Sequence, residues 1–401
     1  MEVENVDAVV MWGTNARNTH PIYFHHVLKG IDNGARSWTI DPRRTATARF
    51  TDTWLGLNVG TDIGLAHGVA REIISAGLTD DEFISNATTG YGEFVAFVEP
   101  WTLEHTAEVT GVSAEAIRDL AHGYATAPTA QICWTLGITE HHTGVDNVLS
   151  LCNLALLTGH VGRWGSGLVP LRGQNNVQGG GDMGALPNKL SGFQDVEDDE
   201  IRAKFEAAWD CEIPPTNGWN LTQMFEAMER DELKAVYIIG ENPADSEADV
   251  KHARAMLERL DVMVVQDVFM TRTARMADVV LPAALGWAES DGTVTNSERR
   301  VQRMRAAVPP PGQARQEIGI INDLAALMGD DAWGNPTAEE FWEELRTVSP
   351  MHAGMSWERL EAEGGLQWPC PTEDHPGSPF LHGRLWERPI RGRRAPFSCV
   401  E

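Results

Sequence analysis

The feature that most limits what this chain can fold into is a repetition at long range. The segment DAVVMWGTNARNTH (7–20) reads as a short apolar strand that runs into a Gly-x-Asn turn and then a helix. That helix is predicted to continue to about Leu28, with Gly30 as the glycine that ends it, and WTIDPRR (38–44) is the next strand. Downstream, KAVYIIGENPADSE (234–247) writes the same strand and the same turn, a helix follows to about Leu260, and VMVVQD (262–267) is the second strand. Gly13 and Asp41 are 28 residues apart and Gly240 and Asp267 are 27 apart, so each unit sets a glycine turn after its first strand and an aspartate at the end of its second. After each aspartate comes the pattern T-x-T-A-R-x-x-D, at Thr45–Asp52 and Thr271–Asp278, with an offset of 226. In a parallel sheet both features lie at the carboxyl edge, where phosphates meet a helix N-terminus and an acidic group can reach a ribose or a base. A single Gly-x-Asn turn is an ordinary connection; its duplication together with the aspartate and the eight-residue pattern predicts two related nucleotide-binding units. Neither turn is G-x-G-x-x-G, which argues against a usual NAD fingerprint.

Composition narrows the class further. A chain of 401 residues with 42% hydrophobic residues is long enough for two or three domains with their own cores. Even LSLCNLALLTGHVG (149–162) falls short of the roughly 20 apolar residues that a membrane helix needs. The balance of 32 basic against 58 acidic residues repels a phosphate backbone, and the short RPIRGRR (388–394) does not offset it, so nucleic acid is not an expected partner. Only five lysines occur, so arginine carries nearly all the positive charge. An acidic, lysine-poor surface suits a high-salt cytoplasm, and a GC-rich genome would favour arginine as well. The five cysteines are dispersed and none forms C-x-x-C, so the chain carries no cysteine set for zinc or an iron–sulfur cluster, and no metal ligands are predicted. With no basic and apolar leader at MEVENVDAVVMWG, the expected compartment is the cytoplasm.

Between the repeats lies LRGQNNVQGGGDMGALPN (171–188), with carboxamides among glycines and no evident periodicity. Arg172 is its one cation, and a guanidinium beside amides such as that of Gln174 suits a small carboxylate, because its donors match two oxygens. The plainer reading is a structural loop crossing between domains, and both stay open on the residues alone. Glu140-His141-His142 and His25-His26 lack HEXXH spacing and read as surface or internally bonded histidines. Ser113, before a helical pattern at Ile117, Leu120, Ala121 and Tyr124, reads as an N-cap. The 14 tryptophans are assigned to cores and seams.

Taken in order, GTNARNTHP (13–21), IDPRRTATA (40–48), GTDIGLAHG (60–68), TGVSAEAIRDLA (110–121), WTLGITEHHTG (134–144), the 171–188 loop, GENPADSEAD (240–249), VVQDVFMTRTARMADVVLP (264–282) and SERRVQR (297–303) are collinear with a known pattern. The chain resembles the catalytic subunit of molybdenum-dependent formate dehydrogenases, within the dimethyl sulfoxide reductase family of molybdopterin oxidoreductases. The resemblance implies an α/β fold of two related Rossmann-like domains with parallel sheets, at 1–174 and 175–286, with a remainder at 287–401. Each would hold one dinucleotide of a bis-molybdopterin guanine dinucleotide cofactor carrying molybdenum or tungsten. Gly13, Asn15, Asp41, Arg43, Gly60 and Asp62 would form the first guanosine and phosphate site, and Gly240, Asn242, Gln266 and Asp267 the second. Leu136, Thr139 and Glu140 would lie near the pterin, Gln174 would join the cofactor contacts, and Arg172 would be the catalytic arginine that orients formate. The implied reaction is two-electron oxidation of formate to carbon dioxide. In the family an N-terminal segment holds a [4Fe–4S] cluster and a cysteine or selenocysteine on the metal, and a C-terminal barrel covers the dinucleotides. This sequence is expected to start after the first and stop before the second, so that its second sheet is incomplete and an iron–sulfur polypeptide completes it. A cofactor-binding scaffold without catalysis and a two-domain NAD-linked dehydrogenase remain as alternatives.

Overall fold

Residues 8–12, AVVMW, are apolar at every position, which suits a strand covered on both faces. In the structure, a computed structural model that describes residues 2–330 and 334–401, this segment is β1 (Ala8–Trp12) and is buried throughout. The elements that surround it are α1 (Pro21–Asp32), β2 (Arg36–Ile40), β3 (Thr53–Leu55), α2 (Asp62–Ser75), α3 (Ala114–Ala125), β4 (Ala130–Trp134), α4 (Gly144–Thr158) and β5 (Gly167–Pro170). The strands form one parallel sheet in the order β3-β2-β1-β4-β5, with Trp12 opposite both Ile40 and Trp134. The two-residue period of β1 sends Val10 and Trp12 into a core with Leu65, Ile117 and Leu154 of the helices α2, α3 and α4. It sends Val9 and Met11 to the other face, against Phe24 and Val27 of α1.

The first helix departs from expectation in two ways. A short helix, Ala16–Thr19, precedes α1, and α1 continues past Gly30 to Asp32. Gly30 is therefore not the terminating glycine. A Cβ there would lie 2.3 Å from the Val3 carbonyl oxygen, so it is a close-approach glycine, and Gly34, at φ +105°, follows the helix end.

The chain divides into two compact units, Met1–Gln174 with Pro379–Glu401, and Asn175–Ser378. In the first, Ala395–Pro396 pairs in parallel with Thr88–Thr89. The second contains β6 (Ala235–Ile239), α5 (Val250–Leu257), β7 (Val262–Asp267) and β8 (Val279–Pro282), a parallel sheet in the order β8-β7-β6. Ile238, Met263 and Val265 pack there against Phe225, Met228, Met256 and Leu257. An antiparallel sheet of β9 (Gly292–Thr295), β10 (Arg300–Met304) and β11 (Leu366–Gln367) follows, over a core of Val301, Trp342, Met355 and Leu360. The segment 171–188, expected to lack regular structure, carries the helix Val177–Asp182 with Asn176 in the left-handed conformation (φ 61°) at its cap. Asp182, nearly fully buried, accepts from Gln178 Nε2 (2.8 Å) and from Trp368 Nε1 (2.7 Å), which holds a glycine-rich helix that propensity alone would not. The fold is thus mixed α/β with parallel sheets. Among the described residues no helix is long and apolar enough to cross a membrane.

Candidate functional site

At the carboxyl edge of the first sheet, Gly13 turns the chain at φ +59° and donates its N–H to Ile40 O (2.8 Å). A Cβ on Gly13 would meet the Gly137 backbone at 2.7 Å, and Gly13 O accepts from Gly137 N (3.1 Å) and Thr135 Oγ1 (3.0 Å). The turn after β1 and the segment after β4 are therefore one packed surface, which brings exposed Leu136, Thr139 and Glu140 beside Gly13. Asn15 Oδ1 accepts from the Thr47 N–H (3.3 Å) and hydroxyl (3.2 Å), and Thr47 Oγ1 accepts from Arg17 N (3.0 Å). Asp41 Oδ1 accepts from Arg43 N (2.8 Å), and the Arg43 side chain is exposed. Asp62, at the start of α2, is buried and accepts from the Trp12 indole (2.8 Å). Burial lifts its carboxyl above the ordinary aspartate range, with the indole hydrogen bond pulling the other way. Gly60, at φ +83°, faces open space, and Thr14 Oγ1 is buried without a hydrogen-bond partner.

Arg172 follows β5 at the same edge, where Leu171 N donates to Trp134 O (2.9 Å). Its side chain is exposed, as is Gln174, the last residue before the unit ends. The Arg172 carbonyl accepts from His20 Nε2 (2.8 Å), and Thr19 Oγ1 donates to His20 Nδ1 (2.8 Å). That relay ties the arginine loop to the first glycine turn. Sequence reasoning passed over His20, whose only signal is its place at the end of GTNARNTH.

The second sheet repeats the bonds made behind the glycine turn, the asparagine and the aspartate. Gly240, at φ +65°, donates to Gln266 O (2.8 Å). Asn242 Oδ1 accepts from the Thr273 N–H (3.1 Å) and hydroxyl (2.7 Å), and Thr273 Oγ1 accepts from Ala244 N (3.0 Å). Asp267 Oδ1 accepts from Phe269 N (2.9 Å). The final aspartate of the pattern acts alike in both units, Asp52 accepting from Ser37 N and Asp278 from Met263 N, each at 2.8 Å. The T-x-T-A-R-x-x-D pattern is thus the fastening behind each edge, and the carbonyl ends of Asn15 and Asn242 are committed to it. Gln266 is fully buried; its Oε1 accepts from the Tyr237 hydroxyl and its Nε2 has no partner.

Other residues have local roles. His26 pairs with Glu4, His141 Nε2 donates to Gly137 O (3.0 Å), and Ser113 Oγ caps α3 by accepting from Ala116 N (3.2 Å). Among the described residues no group of three or more His, Cys, Asp or Glu side chains could hold a metal ion.

Compared with known proteins, the chain matches the molybdopterin oxidoreductase family model over residues 1–327. It is 44% identical over 390 residues to F420-dependent formate dehydrogenase 2 subunit alpha of Methanococcus maripaludis, covering 97% of this chain and 57% of that one. It is 38% identical over 401 residues to formate dehydrogenase H of Escherichia coli, covering 99% and 56%. The chain therefore spans somewhat more than half the length of these relatives. Among solved structures, acetylene hydratase from Pelobacter acetylenicus shares the fold, with a TM-score of 0.71 at 24% identity over 91% of this chain and 52% of that one.

Proposed function

The chain belongs to the molybdopterin oxidoreductase family, and from that premise we propose that it is the dinucleotide-binding and formate-orienting part of a formate dehydrogenase. The observation that carries this reading is the recurrence of one hydrogen-bond framework behind Gly13 and Asp41 and again behind Gly240 and Asp267. Two equal frames suit a cofactor with two equal arms, the guanine dinucleotides of a bis-molybdopterin. The surfaces fit such a group: Gly60 and Gly240 leave open space where a side chain would stand, and Thr14 Oγ1 and Gln266 Nε2 are buried polar atoms awaiting a partner.

In this reading Gly13, Asn15, Asp41, Arg43, Gly60 and Asp62 hold one nucleotide arm and Gly240, Asn242, Gln266 and Asp267 the other. Leu136, Thr139, Glu140 and Gln174 lie toward the pterin. When bound, the group supplies a molybdenum or tungsten centre able to accept two electrons. Arg172 binds the formate carboxylate through its planar fork, and the His20 relay fixes the backbone from which it extends. A fixed guanidinium stabilises an anion without reorganising, so its contribution is electrostatic. A [4Fe–4S] cluster held by a further polypeptide segment would supply the route for those electrons, and the cytoplasm is the proposed compartment.

The test is Arg172→Lys in the protein completed by its iron–sulfur segment. The charge stays and the fork is lost, so kcat/KM for formate is expected to fall by about 2 kcal/mol or more, roughly thirtyfold, with pterin content unchanged. Wild-type kinetics at full pterin occupancy would overturn the substrate role. Joint loss of pterin and thermal stability would make Arg172 a structural residue instead.

A further inference from the structure

The Arg172 guanidinium is only as well placed as the backbone that carries it, and that backbone leaves regular structure at this point. Pro170 makes the last pairing of β5, opposite Trp134, and Leu171 N adds one more bond to Trp134 O. Gly173 follows, with nothing within 4 Å of a Cβ built on it. A peptide plane between an arginine and an unhindered glycine turns easily, because glycine accepts either sign of φ. His20 Nε2 meets the oxygen of that plane, the Arg172 carbonyl, at 2.8 Å. A carbonyl only accepts, so the bond exists only while Nε2 carries a proton. The other ring nitrogen, Nδ1, lies 2.8 Å from Thr19 Oγ1. That hydroxyl has one proton and two acceptors in reach, Nδ1 at 2.8 Å and the Asn15 carbonyl at 3.3 Å, and the shorter contact takes it. A neutral imidazole that accepts at Nδ1 holds its proton at Nε2.

We propose that Thr19 and His20 act in series as positioning residues for formate. The Thr19 hydroxyl holds the imidazole with its proton on Nε2, and that proton fixes the peptide plane from which the Arg172 side chain departs. This rests on the reading of Arg172 as the formate-orienting arginine and names what places it. Thr19 is itself anchored, since its N–H donates to Asn15 O (3.1 Å), so the arginine loop is set by the first glycine turn and not by packing of its own. The arrangement also decides which side chains can stand in for the imidazole. A glutamine amide extends about as far as Nε2 and can still donate to the Arg172 oxygen. An asparagine amide ends about where Nδ1 lies and cannot reach it.

The first measurement needs no cofactor. In the full chain labelled with nitrogen-15 histidine, long-range proton–nitrogen spectra give the tautomer of each imidazole, and the His20→Gln spectrum identifies the His20 signals; the neutral ring is expected to be Nε2–H alone. The second is kinetic, in the protein completed by its iron–sulfur segment. His20→Asn is expected to lower kcat/KM for formate about tenfold with pterin content unchanged, and His20→Gln to restore most of it. Thr19→Val is expected to cost about threefold in the wild-type protein and nothing in the His20→Gln protein, where no imidazole remains to orient, while Thr19→Ser keeps full activity. Adding His20→Asn to Arg172→Lys is expected to cost nothing further, whereas a purely structural role would add its whole factor. Circular dichroism and melting curves verify folding, and Thr19→Val, at an exposed position, carries the test should a His20 variant not fold. An Nδ1–H tautomer in the wild-type chain, equal losses for the asparagine and glutamine variants, a Thr19→Val loss that persists without the imidazole, or a His20→Asn loss that adds in full to that of Arg172→Lys would each overturn the proposal. Wild-type kinetics for Arg172→Lys itself would overturn the formate reading and leave the tautomer as a feature of the fold.

Discussion

His67 shows what a single buried side chain can set. It lies on α2 with 2% of its surface exposed, edge-on to Phe97 (5.3 Å) and Trp101 (5.4 Å), and neither ring nitrogen has a hydrogen-bond partner. Burial among apolar groups disfavours the imidazolium and lowers its pKa from 6.5 to about 4. The sign follows from proton counting. Between about 4 and 6.5 the unfolded chain binds the proton that the folded chain refuses, so stability is full above about 6.5 and declines as pH falls towards 4. A shift of that size is worth on the order of 3 kcal/mol. His67→Phe is therefore expected to flatten the acid limb of a melting-temperature profile between pH 6.5 and 4, while a limb as steep as the wild type's would place the sensitivity elsewhere. His160 and His352, also lowered to about 4, supply the part that remains. None of this was legible in the sequence. GTDIGLAHG marks a helix start, but only tertiary packing puts two aromatic rings around that histidine. The carboxyl-edge aspartates and glycines were legible because spacing alone locates the end of a parallel strand. Their partners in Thr47 and Thr273 were not, since a repeated threonine does not say what it bonds.

At the scale of elements, α1 separates a local rule from a tertiary one. A glycine near the end of a helical pattern is ordinarily a terminator, yet Gly30 lies inside the helix because the chain from Val3 crosses it. In an open helix, replacing glycine by alanine gains up to about 1 kcal/mol. Here the added Cβ would lie 2.3 Å from a backbone carbonyl oxygen that cannot swing away. Gly30→Ala is therefore expected to destabilise by about 1–3 kcal/mol in chemical denaturation. Gly92→Ala, in the helix Tyr91–Val98 with nothing within 4 Å of the new atom, is expected to be neutral or stabilising. Equal effects of the two would show that the 2–5 segment yields to the added methyl. β1 and β7 are runs in which apolar residues predominate, bounded by turns, so the sequence pattern located them. The helix Val177–Asp182 and the strand Ala395–Pro396 left no such trace. The first depends on Asp182 meeting Trp368 from far along the chain, and the second is too short to have a period.

For the whole molecule, the decisive quantity is a formal charge of −26 on 401 residues. Two effects of salt oppose each other. Screening weakens surface ion pairs such as Arg36–Asp119 (2.7 Å) and Arg259–Asp231 (2.7 Å), each worth about 0–1 kcal/mol when exposed. Screening also relieves repulsion among 58 acidic groups that only 32 basic ones offset. The repulsion acts over many pairs at distances near the Debye length, about 10 Å at 0.1 M, and is cut back once that length falls to about 3 Å at 1 M. Pairs such as these two, at 2.7 Å, lie inside even the shorter Debye length and lose less, so the relief wins. The melting temperature is expected to rise steadily from dilute to molar KCl, and chloride salts of other monovalent cations should act alike, because the cause is screening and not a bound ion. A melting temperature that stays level or falls over that range would mean that the acidic residues are spaced widely enough not to feel one another. The scarcity of lysine would then reflect the composition of the coding DNA and not a surface adapted to salt.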